Sequence, residues 1–350
     1  MSARRRSLVP PAGGVRRIAV LRLSSLGDVV LCLPAVEALA AAFPEATIDF
    51  WVKEEYADAV RFHPAVTHVR ALERDARRLE DLVSMSAELE AHDLIVDLHG
   101  SARTRLLTAR QRAPVLRSPS YRLRRVRWVH ARWSAPPPVP PAVARHAEAL
   151  APLGVTLSGP ARLHAGAEAE AWAAAWLAAW APGAAPVALC PGARHATKRW
   201  PEEHWAALDA RLAAAGVPRL WLTTAGERDA LPSLAARAAA DHAARWCAEP
   251  LPRAAALLSR CAAAVTGDSG LMHVAAARGA RVVALFGSTS PVLGFAPAGA
   301  GHAVLCRDEP CQPCTLHGRA RCPRGHFRCM RELRPEAVAA ALAALVGRAV

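Results

Sequence analysis

The hydrophobic positions near the start of the chain predict a buried strand followed by a helix. Residues 17–23 read Arg-Ile-Ala-Val-Leu-Arg-Leu, and a polar turn containing glycine follows them. The apolar spacing from Val29 to Ala42 is that of a helix, which we expect to end near Pro44. Strand, tight turn and helix in this order are typical of the opening of an α/β unit.

The alternation of strand and helix patterns continues and then begins a second time. A helix is predicted at about 76–91, and further strands are predicted at 47–52, 67–72 and 94–97, then at 187–190, 219–223, 262–266 and 281–286. Helix patterns between short apolar runs indicate parallel sheets covered on both faces. We therefore predict an α/β protein with two tandem domains.

Prolines and tryptophans mark the predicted domain limits. Residues 136–141 read Pro-Pro-Pro-Val-Pro-Pro, which predicts a surface loop before a helix at Ala142–Leu150. Three tryptophans recur every fourth residue at 172, 176 and 180, and this stripe predicts a packing face between the domains. The predicted segments are a flexible basic N-terminus at 1–14, an N-terminal domain at 15–170, an interdomain helix and linker at 171–186, a C-terminal domain at 187–332 with a Cys-rich loop at 306–329, and a C-terminal helix at 333–350.

Composition and charge narrow the range of functions. The 350 residues are 53% hydrophobic and 21% charged, which excludes a disordered chain. The net charge of +14 predicts an anionic partner, and nucleic acid, an anionic membrane surface and a phosphorylated substrate all meet that description.

The start of the chain and the cysteines indicate a reducing compartment. No apolar run reaches the roughly 20 residues that span a bilayer, and prolines and glycines at 10–14 interrupt the place where a signal peptide needs its apolar segment. Nine cysteines are an odd number, and Cys32, Cys190, Cys247 and Cys261 lie in apolar surroundings, as reduced buried thiols do. We predict a cytoplasmic protein.

The first candidate for chemistry is the turn after the first strand, Ser24-Ser25-Leu26-Gly27-Asp28. It lies where a parallel sheet places its ligand sites, at the carboxyl end of a strand. Two hydroxyl groups and a glycine allow a ligand to approach the backbone, and Asp28 stands at the start of a helix. The alternative is that Asp28 caps that helix and does nothing else.

A second candidate follows a strand of the second domain. The loop from Pro191 to Pro201 contains Gly192, and the cations Arg194 and Lys198 could meet a phosphate or diphosphate beside backbone N–H groups. The alternative is a solvated basic loop in a basic protein.

A third strand-turn-helix junction reads Thr-Gly-Asp-Ser-Gly-Leu-Met-His from 266 to 273. Asp268, Ser269 and Gly270 are predicted to occupy a helix N-terminus, where free N–H groups bind phosphate. Gly-Ser-Thr-Ser-Pro at 287–291 ends another strand with small hydroxyl residues. None of these spacings is that of a P-loop or a dinucleotide fingerprint, so ATPase and dehydrogenase functions are excluded on these motifs.

The order of these motifs resembles glycosyltransferase family 9, the ADP-heptose:lipopolysaccharide heptosyltransferases. The motifs that carry the resemblance are Leu-Arg-Leu-Ser-Ser-Leu-Gly-Asp ending at 28, Pro-Gly-Ala with Lys-Arg-Trp-Pro-Glu at 191–202, Gly-Asp-Ser-Gly-Leu-Met-His at 267–273, and Ala-Leu-Phe-Gly-Ser-Thr-Ser-Pro ending at 291. The likeness extends over about residues 17–345.

The resemblance implies a GT-B fold, in which two Rossmann-like domains with parallel sheets face each other across a cleft. It implies an inverting, metal-independent transfer of heptose from ADP-heptose to the inner core of lipopolysaccharide, with no cofactor. By matching position, Asp28 is the general base, Lys198 contacts the donor diphosphate and Glu227 contacts the ribose. The implied donor site also includes Arg194, Asp268, Ser269, Gly270, Leu271 and His273.

The acceptor side is less defined. Ser24, Ser25 and Gly27 border the base, and the loop after the strand at 94–97 offers Asp97, His99 and Arg103. These side chains either contact an anionic lipopolysaccharide precursor or serve as helix caps and surface charges.

A basic run with interleaved aromatic residues extends from Tyr121 to Trp133. It suits an anionic glycolipid at the cytoplasmic face of the inner membrane, and we predict peripheral membrane association and no nucleic-acid partner. Nucleic-acid patches share this composition, and a solvated face whose arginine stems cover apolar surface is a further alternative.

The cysteines near the end form a possible metal knuckle. Cys306, Cys311, Cys314, Cys322 and Cys329 surround His317 and His326, and the candidate ligands are Cys311, Cys314, Cys322 and Cys329. The spacing lacks a second close pair, so a loop of reduced thiols without metal is the preferred alternative. Two other functions stay open, a GT-B transferase for another nucleotide sugar and a basic zinc-knuckle protein that binds nucleic acid.

Overall fold

The computed structural model describes residues 14–72, 79–131 and 137–347. The predicted flexible N-terminus therefore lies, except for Gly14, outside the described residues. The same holds for residues 76–78 of the helix predicted at 76–91 and for Arg132 and Trp133 of the basic run.

The described residues contain strands and helices that alternate along the chain. The strands are β1 (Arg17–Leu21), β2 (Thr47–Lys53), β3 (His68–Leu72), β4 (Leu94–Asp97), β5 (Val115–Arg117), β6 (Val187–Cys190), β7 (Arg219–Leu222), β8 (Ala244–Cys247), β9 (Ala263–Gly267), β10 (Arg281–Phe286) and β11 (Ala303–Cys306). The helices are α1 (Leu26–Val30), α2 (Leu33–Ala42), α3 (Leu79–Leu89), α4 (Ala102–Thr108), α5 (Arg122–His130), α6 (Ala142–Leu150), α7 (Ala167–Trp180), α8 (Glu202–Ala214), α9 (Ala225–Asp229), α10 (Pro232–Ala240), α11 (Leu251–Leu258), α12 (Gly270–Ala277), α13 (Arg328–Arg331) and α14 (Pro335–Val346).

The first compact unit comprises the described residues up to 120 together with 142–163. Its sheet has the strand order β3-β2-β1-β4-β5, and every pair is parallel. Because both faces of such a sheet are covered, β1 and β4 are almost continuously apolar and buried.

The second unit comprises 121–141 and 164 onward. Its sheet has the order β11-β10-β9-β6-β7-β8, again with parallel pairs. Its core combines Trp200, Trp205 and Trp221 with the apolar face of α14. The α/β class and the two Rossmann-like sheets predicted from the sequence are confirmed.

The helix predicted from Val29 to Ala42 is wrong as a single element. The structure ends α1 at Val30 and begins α2 at Leu33, with Pro34 in the first turn of α2. A proline inside the helix would remove one N–H and place its ring against the carbonyl four residues earlier, so the helix breaks and restarts. The break leaves α1 as a single short turn that carries Asp28.

The tryptophan stripe lies on α7 within the second unit. Trp172 stacks on Trp176 with ring centroids 5.9 Å apart, and the Trp180 ring lies tilted against Trp176 with a centroid distance of 5.5 Å. The fully buried row of this helix consists of Ala169, Ala173 and Leu177. The indoles are half-buried, and the Arg253 guanidinium covers the first of them at 4.7 Å.

Among the helices that the structure describes, none is both long and apolar enough to cross a membrane. The four cysteines predicted to be reduced and buried, Cys32, Cys190, Cys247 and Cys261, are buried free thiols.

Candidate active site

The candidate residues gather where each sheet reverses its winding direction. In the first sheet the reversal lies between β1 and β4, and in the second it lies between β6 and β9. Crevices for ligands form at the carboxyl ends of strands on either side of such a switch point. The motifs chosen from the sequence follow β1, β4, β6 and β9. Because β1 lies beside β4 and β6 lies beside β9, the motifs of each sheet lie next to each other at its switch point.

Asp28 lies in the single turn of α1 and uses both carboxylate oxygens. Oδ1 forms an ion pair with Arg22 Nη2 at 2.5 Å. Oδ2 accepts hydrogen bonds from the Ser25 hydroxyl at 2.8 Å and the Ser25 backbone N–H at 3.2 Å. Asp28 therefore does cap α1, as the alternative predicted. Its side chain also pairs with Arg22 and is one-fifth exposed, and a helix cap requires neither feature.

Arg22 bridges the two loops of this switch point. Its Nη1 donates to the Leu98 carbonyl at 2.6 Å while its Nη2 holds Asp28. His99 lies beside them and interacts with the Ser24 backbone. Burial and then the Arg22 charge lower the pKa of His99 to about 4, so its imidazole is neutral at physiological pH. Gly27 is buried in α1 and presents no side chain.

Asp97 and Arg103 differ in what their side chains contact. Asp97 is fully buried, and it accepts from the Arg117 Nε at 2.8 Å and from the N–H groups of His99 and Gly100. That set of donors favours a structural role for Asp97. The Nε and Nη2 atoms of Arg103 are buried with no hydrogen-bond partner among the described residues. An unsatisfied guanidinium is costly, and an anionic ligand would satisfy it.

A buried histidine that the sequence reading missed lies behind this site. His146 Nδ1 is 3.1 Å from the Ser118 hydroxyl, and Nε2 is 3.6 Å from Cys32 Sγ, one turn after Asp28. Burial and then the charges of Arg22 and Arg145 lower the pKa of His146 to about 3. Burial raises the pKa of the Cys32 thiol to about 12, so both groups stay neutral.

The lowered pKa of His146 predicts an acid-sensitive fold. Above about pH 6.5 the histidine is neutral in the folded and unfolded chains, and below it only the unfolded chain takes up the proton until the pH approaches 3. Stability is therefore lost as the pH falls, by about 2 kcal/mol from this residue between pH 6.5 and 5. Urea unfolding of wild type and His146→Asn at several pH values should show a shallower slope in the variant, and equal slopes would contradict this.

In the second unit Lys198 and Asp268 form the central pair. Lys198 Nζ is 2.7 Å from Asp268 Oδ2, which also accepts from the Thr289 hydroxyl at 2.7 Å. The side chains of the pair are 15% and 10% exposed. The chain has two lysines, at 53 and 198, against 42 arginines, and one of them stands at this position. The Asp268 carboxylate thus holds the Lys198 ammonium in place.

Two glycines allow the Lys198 loop to pack against the strand ends. A Cβ at Gly267 would lie 2.8 Å from the Lys198 carbonyl oxygen, and one at Gly287 would lie 2.8 Å from the Thr197 carbonyl oxygen. Side chains at either position would push the loop away from the sheet. The glycines of the Gly-Asp motif at 267–268 and the Gly-Ser motif at 287–288 thus leave the space that the Lys198 loop occupies.

The junction of β9 and α12 forms the predicted helix N-terminus. Ser269 is the N-cap residue, and its hydroxyl faces Thr266 Oγ1 at 3.2 Å without capping the helix. Gly270 and Leu271 are half-buried in the first turn, whereas His273 is buried. The first-turn N–H groups of α12 are therefore available to phosphate oxygens at the positive end of the helix dipole.

Arg194 and Glu227 lie at the neighbouring strand ends. Arg194 is exposed, in agreement with either a ligand contact or a solvated loop. Glu227 Oε2 closes a capping box with the Thr224 N–H at 3.0 Å, and its carboxylate lies over Gly192, where a Cβ would come within 2.3 Å of it. Gly192 thus makes room for Glu227 beside the Lys198 loop.

Hydroxyl residues and a Cys-rich loop hold the Lys198 loop in place. The Thr197 hydroxyl accepts from the Arg319 N–H at 2.8 Å and donates to the Arg319 carbonyl. The Ser288 hydroxyl in turn donates to the Thr197 hydroxyl at 2.9 Å.

Of the predicted metal candidates, Cys329 is buried in the core, while Cys311, Cys314 and Cys322 are half-buried free thiols.

Sequence reasoning did not single out Arg22, Thr197 or His146, and it marked Thr289 only as part of the hydroxyl-rich segment at 287–291. A charge inside the apolar run Val-Leu-Arg-Leu was a usable signal for Arg22, because a buried strand tolerates a cation only beside a partner. Thr197 and His146 act through contacts distant in sequence, for which no local pattern exists.

Comparison with known proteins gives the same protein family as the sequence motifs. The model of "Glycosyltransferase family 9 (heptosyltransferase)" matches residues 83–321. Lipopolysaccharide heptosyltransferase 1 of Pseudomonas aeruginosa is 29% identical over 319 residues, which cover 85% of this chain and 86% of that protein.

Solved structures share the fold. The family 9 glycosyl transferase of Veillonella parvula superposes with a TM-score of 0.77 at 21% identity, over 95% of this chain and 97% of that one. The Escherichia coli ADP-heptose lps heptosyltransferase II superposes with a TM-score of 0.70 at 22% identity, over 94% and 98%. The GT-B class of fold is thereby confirmed. With more than half of its residues matched by the family model, the chain belongs to glycosyltransferase family 9, the heptosyltransferases, and is a glycosyltransferase.

Proposed function

We propose that this enzyme transfers heptose from ADP-heptose to the inner core of lipopolysaccharide. The observation that carries the proposal is the match with lipopolysaccharide heptosyltransferase 1 over 85% of the chain. The name of the E. coli relative, an ADP-heptose lps heptosyltransferase, supports the donor. The two switch-point sites supply the two functions that the reaction needs, a proton acceptor and a cradle for a diphosphate.

Asp28 is the proposed general base. The hydroxyl of the acceptor sugar gives its proton to the Asp28 carboxylate as its oxygen bonds to the anomeric carbon of heptose. The bond from that carbon to the diphosphate breaks at the same time, and ADP leaves with the electron pair. Attack opposite to the leaving group inverts the anomeric configuration. A positioned base contributes about 10²- to 10⁴-fold to such a step.

Lys198 and the first turn of α12 stabilise the departing ADP. The ammonium, oriented by Asp268 at 2.7 Å, offsets the charge that develops on the diphosphate, and the Gly270 and Leu271 N–H groups donate hydrogen bonds to phosphate oxygens. These groups do the work that a divalent cation does in other transferases, so we propose that catalysis is independent of metal. Turnover should not rise on addition of Mg²⁺ or Mn²⁺.

Two further contacts complete the substrate assignment. Glu227, fixed by its capping box over Gly192, is proposed to accept from the ribose hydroxyls of the donor. Arg103, with two buried nitrogen atoms lacking partners among the described residues, is proposed to bind an anionic group of the acceptor.

A donor panel tests the proposal. Purified enzyme is given ADP-heptose, ADP-glucose or UDP-sugars with heptose-deficient lipopolysaccharide, and nucleotide release is followed with and without acceptor. Acceptor-dependent release from ADP-heptose alone is expected. Preference for another nucleotide sugar would favour the alternative GT-B transferase, and salt-sensitive binding of DNA or RNA without turnover would favour a nucleic-acid protein.

We also propose that the enzyme works in the cytoplasm on the inner membrane surface through α5. This helix has no buried residue, Arg122 and Arg127 are exposed, and Leu123 is 82% exposed. Exposed arginines beside an exposed leucine match the interfacial pattern for anionic lipid.

The membrane proposal predicts a measurable loss of binding. Two arginines at an anionic surface contribute about 2 kcal/mol, so Arg122→Gln/Arg127→Gln should bind anionic vesicles about 30-fold less tightly than wild type in sedimentation assays. Arg61→Gln/Arg211→Gln removes the same charge from exposed surface elsewhere and should bind as wild type does. Equal weakening in both variants would indicate a diffuse charge effect and contradict docking by α5.

A further inference from the structure

Arg22 is a cation at a position whose neighbours are apolar. It follows β1 directly and stands between Leu21 and Leu23, which are both buried. Its backbone N–H donates to the Trp51 carbonyl at 3.0 Å, which extends the pairing of β1 with β2. The Arg22 side chain is 14% exposed. Taking a guanidinium out of water costs free energy, so this burial is favourable only with compensating contacts.

The guanidinium of Arg22 holds two oxygen atoms that belong to different loops. Nη2 pairs with Asp28 Oδ1 at 2.5 Å, in the turn that follows β1. Nη1 donates to the Leu98 carbonyl at 2.6 Å, in the loop that follows β4. The remaining nitrogen, Nε, is buried and has no partner among the described residues. The charged end of this side chain therefore serves these two contacts.

The planar shape of the guanidinium turns the two contacts into one constraint. Its nitrogens form a rigid fork, so a group bound at Nη1 fixes the direction in which Nη2 points. Leu98 is buried and its N–H donates to the Leu21 carbonyl at 3.1 Å, so the carbonyl that Arg22 binds is itself fixed. The Ser25 hydroxyl and N–H hold the other carboxylate oxygen of Asp28. The carboxylate is thus held on both oxygens, and its position is tied to the loop after β4.

Stability of the fold is a weak reason for an arginine at this position. A buried ion pair often contributes no more stability than apolar residues of the same volume. An apolar side chain would also keep the backbone hydrogen bond of residue 22. The two contacts of Arg22 instead connect Asp28, the proposed base, with the loop that carries Arg103, the proposed contact to the acceptor.

We propose that Arg22 is a positioning residue that holds the Asp28 carboxylate in its charged form and at a fixed place relative to the loop after β4. A guanidinium keeps its protons in proteins, so Arg22 takes no part in the proton transfer itself. Its positive charge favours the deprotonated carboxylate, which burial beneath bound substrates disfavours. This role rests on the proposed function, because it requires that Asp28 is the base.

Three buried groups near Asp28 keep the same charge around neutral pH. Burial lowers the pKa of His99 to about 4 and the pKa of His146 to about 3. Burial also raises the pKa of the Cys32 thiol to about 12. The charge of Arg22 is the smaller cause for both histidines, so they should stay neutral at neutral pH when Arg22 is replaced.

Other charged residues lie near α1. Asp97 is buried and pairs with Arg117 at 2.8 Å, and Arg145 is buried on α6. A 3₁₀ helix packs against α1, and its acidic residues pair with Arg61 or Lys53; they are Glu54, Glu55 and Asp58. Arg22, in direct contact with Asp28, is the cation whose removal should affect this carboxylate most.

The pH dependence of single-turnover transfer tests this role with Arg22→Met and Arg22→Lys. Arg22→Met should lower the rate by about 10²-fold, the size of effect expected when a reacting group is misplaced by about 1 Å. It should also move the acidic limb of the rate profile up by about 1 to 3 pH units, because a carboxylate that loses a neighbouring cation is protonated more readily. Arg22→Lys keeps the charge without the fork, so it should restore the limb but little of the rate.

Arg70→Met is the matched control, because it removes a guanidinium that lies 3.2 Å from another buried carboxylate of the same unit, Asp49. Asp49 lies near the amino end of β2, and Arg17, His68 and His92 remain as its partners. The rate and the acidic limb of Arg70→Met should match those of wild type. Urea unfolding of the three variants shows which of them are folded.

An acidic limb that stays in place in Arg22→Met, or a rate near the wild-type value in Arg22→Lys, would overturn the role of Arg22. The same shift of the limb in Arg70→Met would overturn it too, because the effect would then not be local to Asp28. If Arg22→Met does not fold, Arg22→Lys decides the matter by a lowered rate with an unmoved limb. Absence of transfer by wild-type enzyme would refute the proposed function itself, and the role of Arg22 with it.

Discussion

Asp28→Asn is expected to lower the rate of heptosyl transfer by about 10²- to 10⁴-fold while the affinity for ADP stays at its wild-type value. The asparagine side-chain oxygen can still accept from the Ser25 N–H, so the turn of α1 is retained. What is lost is the carboxylate that receives the proton of the acceptor hydroxyl. Single-turnover transfer and calorimetric ADP binding measure the two effects separately.

The matched control for Asp28→Asn is Glu45→Gln, which removes a carboxylate of the same unit whose side chain is 80% exposed. It should transfer at the wild-type rate. Transfer by Asp28→Asn near the wild-type rate would show that Asp28 is a helix cap and that the base lies elsewhere.

Lys198→Met should lower kcat by about 10²- to 10³-fold, the usual effect of removing one group that stabilises charge in a transition state. The methionine fills a similar volume but leaves the charge on the departing diphosphate uncompensated. Lys198→Arg should recover little of the lost rate, because a planar guanidinium does not reproduce the compact ammonium that contacts Asp268 Oδ2 at 2.7 Å. Initial rates across donor concentrations separate kcat from KM.

Arg211→Gln is the control for charge in the same unit, since this exposed arginine pairs with Glu336 on the surface. Its kinetics should match those of wild type. Equal loss in Arg211→Gln and Lys198→Met would mean that net positive charge, and not a localised ammonium, supports turnover.

The fold could be predicted from sequence because its decisive elements are short, mostly apolar strands. β1, β4, β6, β9 and β10 are buried on both faces, so each stands out from the polar turns beside it. Two elements without that signal were not predicted. β5 has three residues, and α5 is basic on every side without a buried residue.

The site could be predicted only in part, for a physical reason. Residues next to strand ends, such as Asp28, Lys198 and Asp268, are fixed by local order along the chain. Their partners are fixed by strand adjacency, so the Lys198 pair with Asp268 and the Asp28 pair with Arg22 appear only when the sheets form.

Mass spectrometry of the acceptor after incubation with enzyme and ADP-heptose tests the central claim most directly. Heptose-deficient lipopolysaccharide should gain a single heptosyl unit with release of an equal amount of ADP, and Asp28→Asn should leave the acceptor mass unchanged in the same time. An acceptor that gains no mass with wild-type enzyme, or that gains a hexose from another nucleotide sugar in preference, would contradict the proposed function.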